Sequence, residues 1–197
     1  LDVETVSELS YLIKWQGTNN QLKPILLLSH MDVVPVIPGT ESDWEYPPYA
    51  GIVANDYVWG RGAVDDKAGV LGILEASETL LTQNFTPART IYLAFGHDEE
   101  VGGLQGAVKI AERLNQRGIQ FEFVMDEGGI IVDGVVPGID APVALIGPGE
   151  KGYLSLRLSA AGTGGHSSQP PIYTAAGLIS RAVYRLQENP FPINLSY

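Results

Sequence analysis

Ile91-Tyr92-Leu93-Ala94-Phe95-Gly96-His97-Asp98-Glu99-Glu100 decides how this chain is read. A run as apolar as Ile91 to Gly96 reads as an interior strand of a largely parallel sheet, yet it ends in consecutive carboxylates whose charges repel one another. A cation is needed to hold them together. The same pattern recurs at Pro24-Ile25-Leu26-Leu27-Leu28-Ser29-His30-Met31-Asp32 and at Phe121-Glu122-Phe123-Val124-Met125-Asp126-Glu127, so three strands carry imidazole and carboxylate groups to their carboxyl ends. That pattern predicts a metal site, with more than one ion.

Working outward, residues 33–50 hold four prolines and read as a long irregular loop, followed by a short strand at 57–59. Apolar spacing predicts a helix from about residue 66 to 83, with Val70, Ile73, Leu74, Ser77, Leu80 and Leu81 on one face. A second helix is expected at about 104–117, with Leu104, Ala107, Val108, Ala111 and Leu114 inward and Gly118 as its stop. Strands at 90–96, 121–125 and 142–146 complete the alternation. The expected fold is therefore α/β, a mostly parallel sheet sandwiched by helices over residues 1–151, with sites beyond the carboxyl ends of its strands. From residue 152 the texture changes. Tyr153-Leu154-Ser155-Leu156-Arg157-Leu158-Ser159 alternates with period 2, as a half-exposed antiparallel strand does, and a helix follows near 174–187. A second domain over 152–197 is expected to begin there, too short to bury a core of its own.

Composition narrows the function. The 197 residues carry 23 acidic against 12 basic side chains, a formal charge of -11, which repels nucleic acid and suits bound divalent cations. Without cysteine there are no disulfides, thiolate zinc sites or cysteine nucleophiles. No apolar stretch reaches membrane-spanning length, and the compartment stays open. Two glycosylation triplets, Asn84-Phe85-Thr86 and Asn194-Leu195-Ser196, permit a secreted or vacuolar lumen as well as the cytoplasm. Serine-elbow, zincin-helix and phosphate-loop motifs are all missing. Hydrolysis by metal-activated water remains.

In an extended segment, residues two apart face the same way, so His30 and Asp32 can touch, one binding metal while the other orients it. Asp65 and Asp66 both stand at a helix start that needs one cap, which leaves the second free as a bridging ligand. Of Glu99 and Glu100, one can coordinate while the other moves a proton. Asp126 and Glu127 can supply a further oxygen ligand. His97 reads as structural.

Together with Gly60-Arg61-Gly62-Ala63-Val64-Asp65-Asp66-Lys67, Met125-Asp126-Glu127-Gly128-Gly129 and Gly165-His166-Ser167-Ser168-Gln169-Pro170, these motifs resemble the M20 family of dinuclear zinc peptidases and amidohydrolases. Within it, the chain is most similar to the branch of carboxypeptidase S, the N-fatty-acyl-amino-acid hydrolase and aminoacylase-1. The resemblance implies two Zn2+ ions, with Co2+ or Mn2+ as alternatives that the same ligands suit. It places His30 on one zinc, Asp65 between both, Glu100 on the second and Glu127 completing the first, with Asp126 as the fallback. It makes Glu99 the general base, Asp32 the residue orienting His30, and His166 an oxyanion stabiliser that a lid domain presents to the partner subunit of a homodimer. The implied reaction releases an amino acid from a short peptide C-terminus or an N-acyl amino acid. A dipeptidase, a biosynthetic deacylase and a catalytically silent binding or dimerisation module are the rival readings. The resemblance further implies that residues 1–151 are a partial catalytic domain and 152–197 the start of the lid. The chain would then be a fragment lacking the family's C-terminal His ligand, binding the second ion poorly.

Overall fold

The computed structural model describes residues 1–149 and 152–192. The expected boundary at Lys151 and the triplet beginning at Asn194 lie outside the described residues. The chain folds as two compact units, Leu1–Ile146 and a second from Gly147 onward.

The first unit begins with a hairpin, β1 (Asp2–Val6) and β2 (Ser10–Trp15), followed by β3 (Ile25–His30). A small hairpin of β4 (Ile52–Ala54) and β5 (Tyr57–Trp59) precedes helix α1 (Lys67–Thr82) and strand β6 (Ile91–Gly96). Helix α2 (Ala107–Gln116) and strand β7 (Val124–Met125) come next, and a hairpin of β8 (Ile131–Val132) and β9 (Val143–Ala144) ends the unit.

The main sheet has the order β1-β2-β6-β3-β7. β6 and β7 run parallel to β3, as expected, while β1 pairs antiparallel with β2 and β2 antiparallel with β6. The α/β class stands, but the sheet is mixed rather than mostly parallel. The cause is the N-terminal hairpin, whose turn places Ser7 and Glu8 at positive φ and returns the chain to the β6 edge. The segment expected to add a strand at 142–146 instead forms β9 against β8, in a sheet of its own.

Side chains alternate across β6 and build two cores. Tyr92 and Ala94 join Val6, Leu12, Leu26 and, from α2, Ile110 and Leu114. Leu93 and Phe95 join Ile13 on the other face, with Val70 and Ile73 of α1 packed against them. Helices thus cover opposite faces of one sheet. Leu93 is 1% exposed, and burying a side chain of that kind is worth about 1.5–3 kcal/mol.

The α2 stripe differs from the expected one. Gly106, Ile110 and Leu114 are buried, whereas Leu104 is 63% exposed and Ala107, Val108 and Ala111 also face outward. Asp98 accepts the Gln105 and Gly106 backbone N–H groups, each at 2.7 Å, and so sets the rotation of the first turn. In α1, Val70, Ile73 and Leu80 are half-buried and Ser77 is buried, but Leu74 and Leu81 are about 40% exposed.

In the second unit, α3 (Ala175–Glu188) starts at Thr174, whose hydroxyl accepts the Gly177 N–H at 3.0 Å. The period-2 segment Tyr153 to Ser159 forms no strand, because no ladder partner exists among the described residues of its unit. α3 buries none of its residues within this unit. No helix of the described residues is long and apolar enough to cross a membrane.

Candidate metal centre

Strands β6, β3 and β7 are neighbours and run the same way, so their carboxyl ends open at one edge of the sheet. His30 closes β3, paired with Gly96 of β6 and only 3% exposed. Its Nε2 lies 2.9 Å from Asp65 Oδ1, 3.4 Å from Glu127 Oε2 and 3.9 Å from Glu99 Oε2. Its Nδ1 lies 3.1 Å from the Asp32 carbonyl oxygen and 3.4 Å from the Asp32 carboxylate. One ring nitrogen is therefore held by Asp32 and the other turned into the acidic cluster. That division fixes which nitrogen can serve as a ligand.

Asp32 also does something that its sequence position does not reveal. Its two carboxylate oxygens accept the backbone N–H groups of Glu99 and Glu100, each at 3.1 Å, and so pin the short turn after β6 to the end of β3. Glu100 in turn accepts the Val34 N–H at 3.1 Å, tying the long loop to the same turn. Glu100 and Asp65 line one cleft of about 180 Å³, but Glu100 stands outside the tight cluster of His30, Asp65 and Glu127.

Asp65 and Asp66, joined by a cis peptide bond, have different tasks. Asp65 is exposed and reaches His30, whereas Asp66 is 7% exposed and bonded to the Ser29 hydroxyl and, at 3.3 Å, the His30 N–H. Although Asp66 occupies the α1 cap position, its side chain caps nothing. Capping, the ordinary task of an aspartate there, gives way to anchoring the helix start on β3. A Cβ on Gly69 would sit 2.5 Å from the Asp66 carboxylate and 2.7 Å from the Ser29 hydroxyl, so glycine is what lets α1 approach this closely. Ser29, the one polar residue in an apolar run, is the available sequence signal for this contact. Lys67 donates to the Met31 carbonyl and adds a further tie.

The remaining acidic and histidine positions separate clearly. Asp98 is taken up by the start of α2, and His97 Nδ1 lies 2.6 Å from the Ser10 hydroxyl, so both are structural. Glu127, not Asp126, reaches the His30 ring, while the Asp126 carboxylate accepts the Glu127 N–H at 2.9 Å. His166 belongs to the second unit, where its Nδ1 lies 2.8 Å from the Ser168 hydroxyl.

The electrostatics reflect crowding of like charges. Burial pushes the Glu127 carboxyl up to about 7 against the pull of His30, with Asp66, Asp65 and Glu99 adding to the rise. Burial alone would lower the His30 pKa, but the Asp65 bond and the charges of Glu127, Asp32 and Glu99 outweigh it and raise the value. Glu99 is also raised, first by partial burial, opposed by His30 and reinforced by Glu100, Asp32 and Asp65. With 53% of the Glu99 side chain exposed, the neighbouring charges are the firmer cause. One ligand atom each from His30, Asp65 and Glu127 lies within 4.8 Å of the others. One imidazole and two carboxylates at that spacing fit a divalent ion of the zinc type, whose charge would relieve the repulsion.

Residues 26–194 match the model of Peptidase family M20/M25/M40. The chain is 46% identical over 189 residues to the N-fatty-acyl-amino acid synthase/hydrolase of Mus musculus, covering 96% of this chain and 37% of that protein. It is 40% identical to carboxypeptidase S of Saccharomyces cerevisiae, covering 100% of this chain and 34% of that one. The chain therefore spans little more than a third of the length of these relatives. Among solved structures, an M20 family metallo-carboxypeptidase from Sulfolobus solfataricus superposes with a TM-score of 0.52 at 26% identity, over 68% of this chain and 31% of that one. Sequence match and fold agree, and this chain belongs to peptidase family M20/M25/M40.

Proposed function

We propose that the protein hydrolyses an amide bond with two bound divalent metal ions, releasing an amino acid from an N-acyl amino acid or a short peptide C-terminus. The convergence of His30 and Glu127, from the ends of the adjacent parallel strands β3 and β7, with Asp65 from the segment before α1 is the observation that carries this reading. The names of the relatives, a fatty-acyl-amino acid hydrolase and a carboxypeptidase, support the substrate class.

In this reading His30, Asp65 and Glu127 would hold one ion, and Asp65 and Glu100, which line one cleft, would serve the other. Zinc is the best match to this donor set, and it would supply Lewis acidity toward water and the amide carbonyl. Asp32 fixes the imbalance between the two ring nitrogens of His30 and holds the Glu99–Glu100 backbone in place. Glu99 remains outside the tight cluster, with a raised pKa that suits a group taking a proton from water and passing it to the leaving amine. Residues 152–197 would begin a lid and dimerisation domain that presents His166 to the active site of a partner subunit.

Glu99→Gln in the full-length protein tests the assignment. Turnover of an N-acyl amino acid is expected to fall by about 10²–10⁴-fold, with metal content unchanged at two ions per chain. Unchanged turnover would refute the role of Glu99, and a metal-independent reaction would refute the function.

A further inference from the structure

A second cleft lies on the face of the main sheet that α2 covers, away from the metal ligands. Cross-strand register places Asp2 opposite Lys14 and Lys14 opposite Tyr92, so the three stand in one row across β1, β2 and β6, about 4.8 Å apart from strand to strand. Lys14 shares a face with Leu12, which lies in one core with Ile110 and Leu114 of α2. The helix ends at Gln116, and a cleft of about 180 Å³ opens over the row, lined also by Leu12, Glu4 and Arg117. Tyr92 stands four residues before Gly96, about 13 Å along β6 from the edge that carries the metal ligands.

Three polar groups in this cleft have no partner among the described residues. Tyr92 is 6% exposed, its ring edge-on to Phe121 with centroids 5.7 Å apart, yet its hydroxyl makes no hydrogen bond there. Burial raises its pKa above the ordinary value of 10, opposed by Arg117 and aided by Asp2, so the hydroxyl keeps its proton and can donate. Lys14 and Asp2 carry opposite charges at directly paired positions, yet they form no ion pair with each other or with any other described residue. Glu4, by contrast, is held by Arg113 at 3.3 Å and by Arg117, and Arg117 keeps further N–H donors beyond that contact.

We propose that this cleft binds a free α-amino acid, with its carboxylate on Lys14 and the Tyr92 hydroxyl and its ammonium on Asp2. A simple anion would sit one strand spacing from the Asp2 carboxylate, and a simple cation would meet Lys14 and Arg117. A zwitterion answers both signs at once, because one carbon joins its ammonium to its carboxylate. Size points the same way. Drug-sized ligands occupy sites of about 300–1,000 Å³, so a cleft of about 180 Å³ takes only a small solute. Tyr92 supplies a donor fixed by its buried ring, and Lys14 supplies a charge on a flexible stem that can follow the ligand. An amino acid is also what the proposed reaction releases, but the cleft uses none of the metal ligands.

Calorimetric titration of the full-length, metal-loaded protein with L-alanine tests the site, with propionate and ethylamine as probes that carry one charge each. The titration is repeated after chelation, because an amino acid held at the metal edge is lost with the metal, whereas alanine in this cleft is retained. Lys14→Gln and Tyr92→Phe are each expected to weaken the retained binding by about 10-fold or more, as loss of a hydrogen bond to a charged group does. In the loaded protein the same variants should lose the share of binding that survives chelation in wild type, and no more. Propionate and ethylamine should each bind at least about 10-fold more weakly than alanine. Asp2→Asn should narrow the gap between alanine and propionate to about twofold, since only the ammonium loses its partner. Absence of metal-independent alanine binding would overturn the proposal, as would equal binding in wild type and both variants with folding intact by circular dichroism. Propionate binding as tightly as alanine in wild type would overturn it too, and leave a plain anion site. Binding rather than turnover is read, so the result stands or falls separately from the hydrolase reading.

Discussion

The two halves of the main sheet share β6 and differ in what they deliver. On one side, β6, β3 and β7 run in parallel and bring Glu99, His30 and Glu127 to one edge. On the other, β1, β2 and β6 alternate in direction, and their polar groups Ser10, His97 and Asp98 bond within the scaffold. Direction of the strands is the difference. Parallel strands place all their carboxyl ends together, so the residues that follow them can share a ligand, whereas antiparallel neighbours send successive ends to opposite edges.

The strand common to both halves is where the largest stability effect is expected. Leu93→Ala removes a side chain that is 1% exposed and should cost about 2–5 kcal/mol in chemical denaturation. If the parallel half folds without support from its neighbour, metal affinity will survive conditions in which the hairpin has melted, and the comparison breaks. Asp32→Asn and Asp98→Ala sharpen it, since each removes a carboxylate that receives two backbone N–H groups, one in each half. Asp32→Asn should lower zinc affinity by about 10–100-fold in a chelator competition, as loss of a group orienting a ligand does. Asp98→Ala should leave zinc affinity unchanged and lower stability by about 1–3 kcal/mol.

The acidic cluster also predicts how metal-free protein responds to pH. Glu127 is raised to about 7, so between its ordinary value of 4.5 and that value the folded state binds more protons than the unfolded one. Stability from this group is present below 4.5 and is lost as pH rises through about 7. His30, also raised, acts in the same direction, its contribution fully present below 6.5 and lost above. Because the Glu127 side chain is 33% exposed and solvent screens it, the fall should be of the order of 1 kcal/mol. Thermal melting of metal-free protein at pH 5 and pH 7.5 checks the sign. Added zinc should reverse the trend, because it needs the deprotonated ligands.

Much of the site is legible because its signal is a contradiction within the sequence. Charges at the ends of apolar runs have no structural rationale, so His30, Glu99, Glu100 and Glu127 stand out, while Asp65 is marked only as the second aspartate at a helix start that needs one cap. The N-terminal hairpin escapes the pattern of alternating strands and helices, although Tyr11-Leu12-Ile13-Lys14-Trp15 has the aromatic and β-branched character of a strand and lies just after a three-residue turn. Apolar spacing misplaces the α2 stripe because Asp98 fixes the helix rotation through backbone contacts that the spacing does not encode. Local sequence makes Asp66 a cap, which is the usual role, while its actual partners lie 36 and 37 residues away on β3. The strand expected at Tyr153 to Ser159 shows the converse. Alternation there is real, but a strand is a property of two segments, and only one is present among the described residues of that unit.

The close approach at Gly69 has a consequence for anyone stabilising this protein. Helix α1 holds two glycines in its first two turns, Gly69 and Gly72, and replacing helical glycine by alanine ordinarily gains about 1 kcal/mol. Gly72 has open space where a methyl group would go and should show that gain. At Gly69 the same methyl group would meet Asp66 and Ser29, pushing apart the helix and the strand that carries His30. Two positions three residues apart thus carry opposite instructions for engineering, one a surface to improve and the other a spacer that keeps the metal ligands in reach of each other.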